Sequence, residues 1–280
     1  GMNWFDALTH AMSACGTCGF STKNLSIAFF DSAAIEAILM VAMTLSGIHF
    51  GVLYATIIGR KNNIFHSEVV RMFITMMLLV AVIIAISLFV ANIYPSFLTS
   101  LRHAAFQVVS ITTTSGFATA DTNTWTSLAI LLLMFCTVIC GCAGSTSGGM
   151  KVDRLLIASK VIRNRMQIQL HPNAVIRTKM DGIVQDEKIQ SLVMTFIVSY
   201  IMLTIIGSVV YAMFGYDLLT SFSASIACIS NVGPGFGEIG SLDNYSELPA
   251  MLKLCSTLLM LIGRLEIFGF IQLLFIRHWR

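Results

Sequence analysis

Thr114-Ser115-Gly116-Phe117 follows a short, semi-apolar stretch, Ser96 to Ile111, and the same arrangement occurs twice more in the chain. Asn3 to Ala14 leads into Thr17-Cys18-Gly19-Phe20, and Tyr216 to Ile229 leads into Asn231-Val232-Gly233-Pro234. The three tracts align without gaps on their glycine, and upstream Ala7 matches Ala104 and Ser13 matches Ser110 in the same register. Each leading stretch falls short of the roughly 20 residues that a helix needs to cross a bilayer. A short apolar helix ending in a polar, glycine-bearing tract reads as a re-entrant element, held at membrane depth without spanning it.

Around these tracts the chain is apolar. Of its 280 residues 56% are hydrophobic and 11% charged, with a mean hydropathy of +0.82, so a water-soluble globular domain is excluded. Five stretches are expected to span: Ala33 to Gly59, Met72 to Tyr94, Trp125 to about Ile162, Ile189 to Phe214, and Leu252 to Ile276. Arg60, Lys61 and Arg71 lie between the first two, and Lys160, Arg163, Arg165, Arg177, Lys179 and Lys188 between the third and fourth. Those two connections are therefore expected to be cytoplasmic. The opposite connections carry Asp31, Asp121, Asp217, Glu238, Asp243 and Glu247, either an acidic mouth that concentrates cations or merely solvated loops. The net charge of +3 leaves no nucleic-acid footprint. Seven cysteines, an odd number, imply no disulfide framework, and Cys15 and Cys18 lack the second pair that a zinc site needs.

A loop inside a bilayer leaves backbone carbonyls without partners, which is tolerated only where protein or water surrounds them. Such carbonyls can replace a cation's hydration shell. Glycine serves here because it reaches backbone angles closed to other residues, aiming consecutive carbonyls at one axis with no side chain in the way. Potassium channels do this with TVGYG loops. The order of hydroxyl or amide, variable residue, then glycine follows the same plan, and Asn231-Val232-Gly233-Pro234-Gly235 is nearest to it.

The chain resembles the Trk/Ktr/HKT superfamily of potassium transporters, most closely the TrkH-type membrane subunit. The matching pieces are Gly19-Phe20-Ser21-Thr22, Ser110-Ile111-Thr112-Thr113-Thr114-Ser115-Gly116-Phe117, Ala143 to Lys151, Asn231 to Gly237, and Gly263-Arg264-Leu265-Glu266. The resemblance implies an all-α membrane protein of repeated helix, re-entrant pore helix, filter loop, helix units around a pseudo-fourfold pore. It places residues 1–62 in a second repeat, 63–165 in a third, 166–188 in a cytoplasmic connection and 189–280 in a fourth, with the first repeat expected to be missing. It implies potassium bound at the filter carbonyls of Thr17, Cys18 and Gly19, of Thr113, Thr114, Ser115 and Gly116, and of Asn231, Val232 and Gly233. Cys18 stands where the family usually carries a small residue such as glycine, a change that backbone coordination should tolerate. No covalent cofactor is implied; K+ is the transported ion. The expected partners are the lipid bilayer of a bacterial plasma membrane, a second copy of the chain, and a cytosolic nucleotide-binding regulatory subunit of the TrkA/RCK type.

Gly141 to Gly149 interrupts the third span with nine consecutive small or hydroxyl residues, a composition that breaks a helix at membrane depth. The resemblance implies a gate below the filter, made by Gly141, Gly144, Ser145, Thr146, Gly148, Gly149 and Lys151. Arg264 sits near the middle of the last expected span, where snorkelling is difficult, so it needs an internal partner. Freed carbonyls of the 141–149 loop are the expected acceptors, with Arg264 pinning that loop and opposing cations. Glu266, two positions away, lies on another helix face and is not expected to pair with it. An enzyme is disfavoured, since HExxH, GxSxG and facing aspartates are all lacking. A membrane scaffold or receptor with structural re-entrant loops stays open as the alternative.

Overall fold

Asn3, Ser96 and Asp217 each begin a helix by accepting a backbone hydrogen bond on the side chain, from Asp6 at 2.7 Å, Leu98 at 3.3 Å and Thr220 at 3.0 Å. Such caps satisfy amide groups that a short helix in an apolar setting cannot leave bare. The computed structural model describes residues 1–59, 63–174, 176–243 and 245–274; Arg60 and Lys61 lie outside them. In chain order the helices are α1 (Trp4–Cys15), α2 (Ala33–Gly47), α3 (Phe50–Ile57), α4 (Glu68–Val90), α5 (Phe97–Thr112) and α6 (Ser127–Val138). There follow the paired short strands β1 (Ile139–Cys140) and β2 (Met150–Lys151), then α7 (Val152–Leu170) and the hairpin β3 (Lys179–Met180) and β4 (Ile183–Val184). The last helices are α8 (Glu187–Met213), α9 (Leu218–Ser230), α10 (Ala250–Arg264) and α11 (Phe268–Leu274). Asn3, Ser96 and Asp217 cap α1, α5 and α9, the three short helices that lead into the glycine tracts.

The architecture is an all-α membrane fold of repeated units. α1 packs on α2, α4 along α5, and α9 between α8 and α10. Successive units meet where α2 touches α5 and where α6 touches α9, so the three short helices share one interior. The main core joins Phe73, Ile84 and Leu88 of α4 to Val108 and Ile111 of α5, Leu133 of α6 and Ile229 of α9. Leu78, Leu79, Leu98, Leu131, Ile201 and Ile205 are exposed, an apolar exterior suited to lipid and not to water.

Spanning helices differ from expectation in number. Among the described residues only α4 and α8 are single helices long and apolar enough to cross a membrane. The stretch from Ala33 to Gly59 is not one straight helix, because α2 and α3, apolar enough together to span, meet at 103°. The cause is tertiary. Gly47 O, which would continue the helix, accepts from Cys142 N at 2.9 Å, while Gly51 N turns to His49 Nδ1 at 2.8 Å. The last span is also broken, at residues 265–267, where Glu266 and Ile267 take left-handed angles of 54° and 57°. Arg264 therefore ends a helix at the break in this span, instead of lying inside one continuous helix. The second span begins at Glu68, four residues early, because Asp181 from the β3–β4 turn caps it, accepting from Glu68 N at 2.7 Å and Ser67 Oγ at 3.1 Å.

One buried charge pair ties two units together. Glu36 of α2, 2% exposed, takes a two-pronged contact from Arg102 of α5, Nε to Oε2 at 2.7 Å and Nη2 to Oε1 at 2.8 Å. Arg102 also reaches Asp31 at 3.1 Å. Glu36 is buried but Arg102 is 28% exposed, so removing the arginine leaves the carboxylate half-satisfied at a cost of about 1–3 kcal/mol. Arg102→Ala is expected to lower the thermal midpoint of the detergent-solubilised protein by several degrees, with Arg102→Lys in between because it keeps the charge and loses the fork. An unchanged midpoint for Arg102→Ala would show that the pair contributes nothing to cohesion.

Candidate functional site

The three glycine tracts are built alike, atom for atom along the backbone. Each short helix ends in the same two hydrogen bonds: Thr17 N to Ala14 O and Cys18 N to Ser13 O, Thr114 N to Ile111 O and Ser115 N to Ser110 O, Asn231 N to Cys228 O and Val232 N to Ala227 O. These are the paired bonds of a Schellman cap, which turns the chain sharply at a left-handed residue. The left-handed residues are Thr17, Thr114 and Asn231, at φ 50°, 57° and 57°; two positions on, Gly19, Gly116 and Gly233 are left-handed again, at 72°, 73° and 103°. Two left-handed residues with one residue between them turn successive peptide planes away from the pairing that a helix or strand would give their carbonyls.

The tracts are also packed in sequence. A Cβ on Gly19 would fall 2.1 Å from Ser115 O, and one on Gly116 would fall 2.4 Å from Val232 O. Each of these glycines is thus seated against the next tract's backbone, where no side chain fits. A Cβ on Gly233 would meet nothing within 4 Å among the described residues. Cys18, Gly19, Gly116, Val232 and Gly233 line a single cavity of about 390 Å³, whereas Thr17, Thr113, Thr114 and Ser115 are buried behind it. Asn231 is half-buried. Ser110 Oγ donates to Phe117 O at 2.7 Å, and the Phe117 ring is buried among Ala14, Ile27 and Phe106, while Phe20 at the equivalent place is exposed.

The loop from Gly141 to Gly149 crosses on the other side, touching every tract. Thr17 Oγ1 donates to Thr146 O at 3.1 Å, Gly148 N donates to Thr114 Oγ1 at 2.9 Å, and a Cβ on Gly148 would lie 2.3 Å from Ser230 O. Thr146 Oγ1 in turn donates to Ser46 O at 3.2 Å and Cys15 O at 3.3 Å. Gly144 and Gly149 are left-handed, at 73° and 64°, and Gly144 leaves room for the His49 ring. Gly141 is packed on Gly47 O, and Ser145 Oγ bonds Ser147 Oγ at 2.6 Å.

Two cations hold consecutive carbonyls of this loop. Arg264 Nη1 donates to Thr146 O at 3.0 Å, and the buried Lys151 donates through Nζ to Ser147 O. Glu266 pairs with Arg154 at 2.5 Å, not with Arg264, and the Arg154 guanidinium stacks 3.8 Å over the Phe196 ring. Sequence reading missed Arg154, Arg102 and Asp153, whose carboxylate accepts from Ala143 N. A basic or acidic residue inside an apolar segment was the signal available for each. Most of the acidic residues of the outer connections serve local structure: Asp217 and Asp121 cap helical turns, Asp31 pairs with Arg102, and Asp243 accepts from Gly240 N at 3.1 Å. Among the described residues no cluster of His, Cys, Asp and Glu has the arrangement of a metal site.

Comparison with known proteins gives a consistent picture. A family model for TrkH, described as a cation transport protein, matches residues 1–278. The Trk system potassium uptake protein TrkH of Halomonas elongata is 37% identical over the whole chain, and that of Escherichia coli K12 is 34% identical. The crystal structure of the potassium transporter TrkH from Vibrio parahaemolyticus superposes over the whole chain with a TM-score of 0.92 at 33% identity. The chain spans 58% of the length of these two curated relatives and 60% of the crystallised chain.

Proposed function

Because the chain belongs to the TrkH family of cation transport proteins, we propose that it takes up potassium by passing the ion along backbone carbonyls of the three glycine tracts. The observation that carries this reading is the threefold recurrence of one strained backbone geometry, left-handed at Thr17, Thr114 and Asn231 and again at the following glycine, around one cavity. A left-handed angle costs a threonine about 1–2 kcal/mol and costs Asn231 less, since its residue type tolerates that region. Repeating that cost at three equivalent places makes sense where the carbonyls so freed have something to bind. A dehydrating cation is matched by the multiple weak oxygens of Thr17, Cys18 and Gly19, of Thr113 to Gly116, and of Asn231 to Gly233, with the added selectivity that a stiff, glycine-packed ring confers.

In this reading the 141–149 loop is the gate. It lies under all three tracts and is held by Arg264 and Lys151, whose positive charges oppose a passing cation. The reading assigns residues 1–62, 63–165 and 189–280 to three repeats and residues 166–188 to a cytoplasmic connection. It takes the working assembly as a homodimer in a bacterial plasma membrane, with a cytosolic nucleotide-binding regulatory subunit of the TrkA/RCK type against that connection.

The test is flux. The whole gene product, reconstituted in liposomes under an outward potassium gradient, is expected to accumulate rubidium tracer, with external potassium competing far better than sodium. Protein that inserts correctly but accumulates none would leave the re-entrant loops as scaffolding and overturn the reading.

A further inference from the structure

The third glycine tract differs from the other two in how it is held. Gly19 and Gly116 are wedged against the carbonyl of the next tract, but the space beside Gly233 is open among the described residues. Its peptide also lacks a handle, because the following residue is Pro234, which has no N–H to donate. Yet the Gly233 carbonyl is engaged: the hydroxyl of Tyr245 donates to Gly233 O at 2.8 Å. Among the described residues no side chain does this to the carbonyls of Gly19 or Gly116. Tyr245 packs against the buried cluster of Tyr211, Ala224, Ile239, Leu248 and Leu252, so its ring is carried by α8, α9 and α10 together. Both Tyr245 and Gly233 line the cavity that holds the other two glycines.

We infer that Tyr245 is the positioning residue of the third tract, its hydroxyl setting the plane of the Gly233–Pro234 peptide and with it the direction from which the Gly233 carbonyl meets a cation. The inference rests on the proposed conduction along these carbonyls. A carbonyl oxygen has two lone pairs, so one can be fixed by the phenol while the other faces the ion. The hydroxyl substitutes for the bracing that a neighbouring tract supplies at Gly19 and Gly116. Freed from it, the peptide plane would rock, and a rocking carbonyl adapts to the smaller sodium ion as readily as to potassium.

The experiment compares Tyr245→Phe with wild type, both as the whole gene product, and takes Tyr211→Phe as the control. Tyr211 belongs to the same aromatic cluster and contacts Cys228 as Tyr245 does, but its hydroxyl bonds Ser256 and reaches no tract carbonyl, so it isolates the Gly233 contact. Loss of one neutral hydrogen bond should lower the potassium-over-sodium ratio of liposome flux about fivefold in Tyr245→Phe, with Tyr211→Phe at the wild-type ratio. An unchanged ratio in Tyr245→Phe, or an equal drop in both variants, would overturn the assignment. A second readout is independent of transport. Gly233-Pro234 is the only Gly-Pro pair in these 280 residues, so carbonyl-13C glycine with 15N proline, assigned by the signal that Gly233→Ala shifts or removes in the whole gene product, reports on the Gly233 carbonyl in a solid-state NMR difference spectrum. Tyr245→Phe should move that resonance upfield, the sign of a lost hydrogen bond; no movement would overturn the assignment. Wild-type protein that shows the NMR difference but passes no potassium would sink the transport reading alone.

Discussion

Gly116→Ala is expected to abolish ion discrimination, with the potassium-over-sodium flux ratio falling well beyond tenfold. Two independent penalties act there. The residue needs φ 73°, which costs an alanine about 1 kcal/mol or more, and its Cβ would sit 2.4 Å from Val232 O and 3.2 Å from Pro234 Cδ. The first obstacle is backbone, so no rotamer change relieves it; one of the two tracts must move. Gly233→Ala carries only the conformational penalty, at φ 103° with open space beside it. Its ratio should fall roughly tenfold, since about 1.4 kcal/mol is a factor of ten. Gly19→Ala, with its Cβ 2.1 Å from Ser115 O, should behave like Gly116→Ala. The ranking is the measurement: rubidium uptake with sodium competition should order the variants as Gly19 and Gly116 first, Gly233 after. A ratio at the wild-type level in Gly116→Ala would remove the tracts from the conduction path.

Arg264→Ala is expected to raise potassium flux about fivefold. The guanidinium is exposed and makes one contact to the loop, Nη1 to Thr146 O at 3.0 Å. A contact of that kind is worth about 1 kcal/mol, which shifts a closed-to-open equilibrium by roughly a factor of five. Removal of the positive charge from the cation's route acts in the same direction. Arg264→Lys keeps the charge and loses the reach, so its flux should lie between wild type and Arg264→Ala. Lys151 remains on the adjacent carbonyl in both variants, which is why a partial release and not a permanently open path is expected. Flux in Arg264→Ala at or below wild type, with normal insertion, would mean that the arginine does not close the loop.

The same two regions show how far composition and spacing reach. The short helices were legible to within a residue or two, because each is bracketed by local chemistry: an Asn, Ser or Asp cap at one end and a left-handed turn two positions before a glycine at the other. The interruption at 141–149 was equally legible, since nine small or polar residues in succession cannot continue an apolar helix. The bends at residues 47–49 and 265–267 were not. Ile48 and Ile267 are apolar and buried, and the charges Arg264 and Glu266 beside the second bend read along the sequence as polar positions within one helix, not as its end.

What local sequence determined, then, was the repeated unit: a capped short helix, a glycine tract, and the long apolar stretches between. Those features depend on groups within a few residues of one another. Tertiary structure alone decided where the long helices break and which charges meet. Cys142 reaches back to Gly47 O, Asp181 caps Glu68, Arg102 finds Glu36, and Arg154 pairs with Glu266. Each of these partners lies dozens of residues away along the chain. In a dry interior every polar group must find a partner, and that search is settled by the fold that brings distant segments together, not by the order of residues along any one of them.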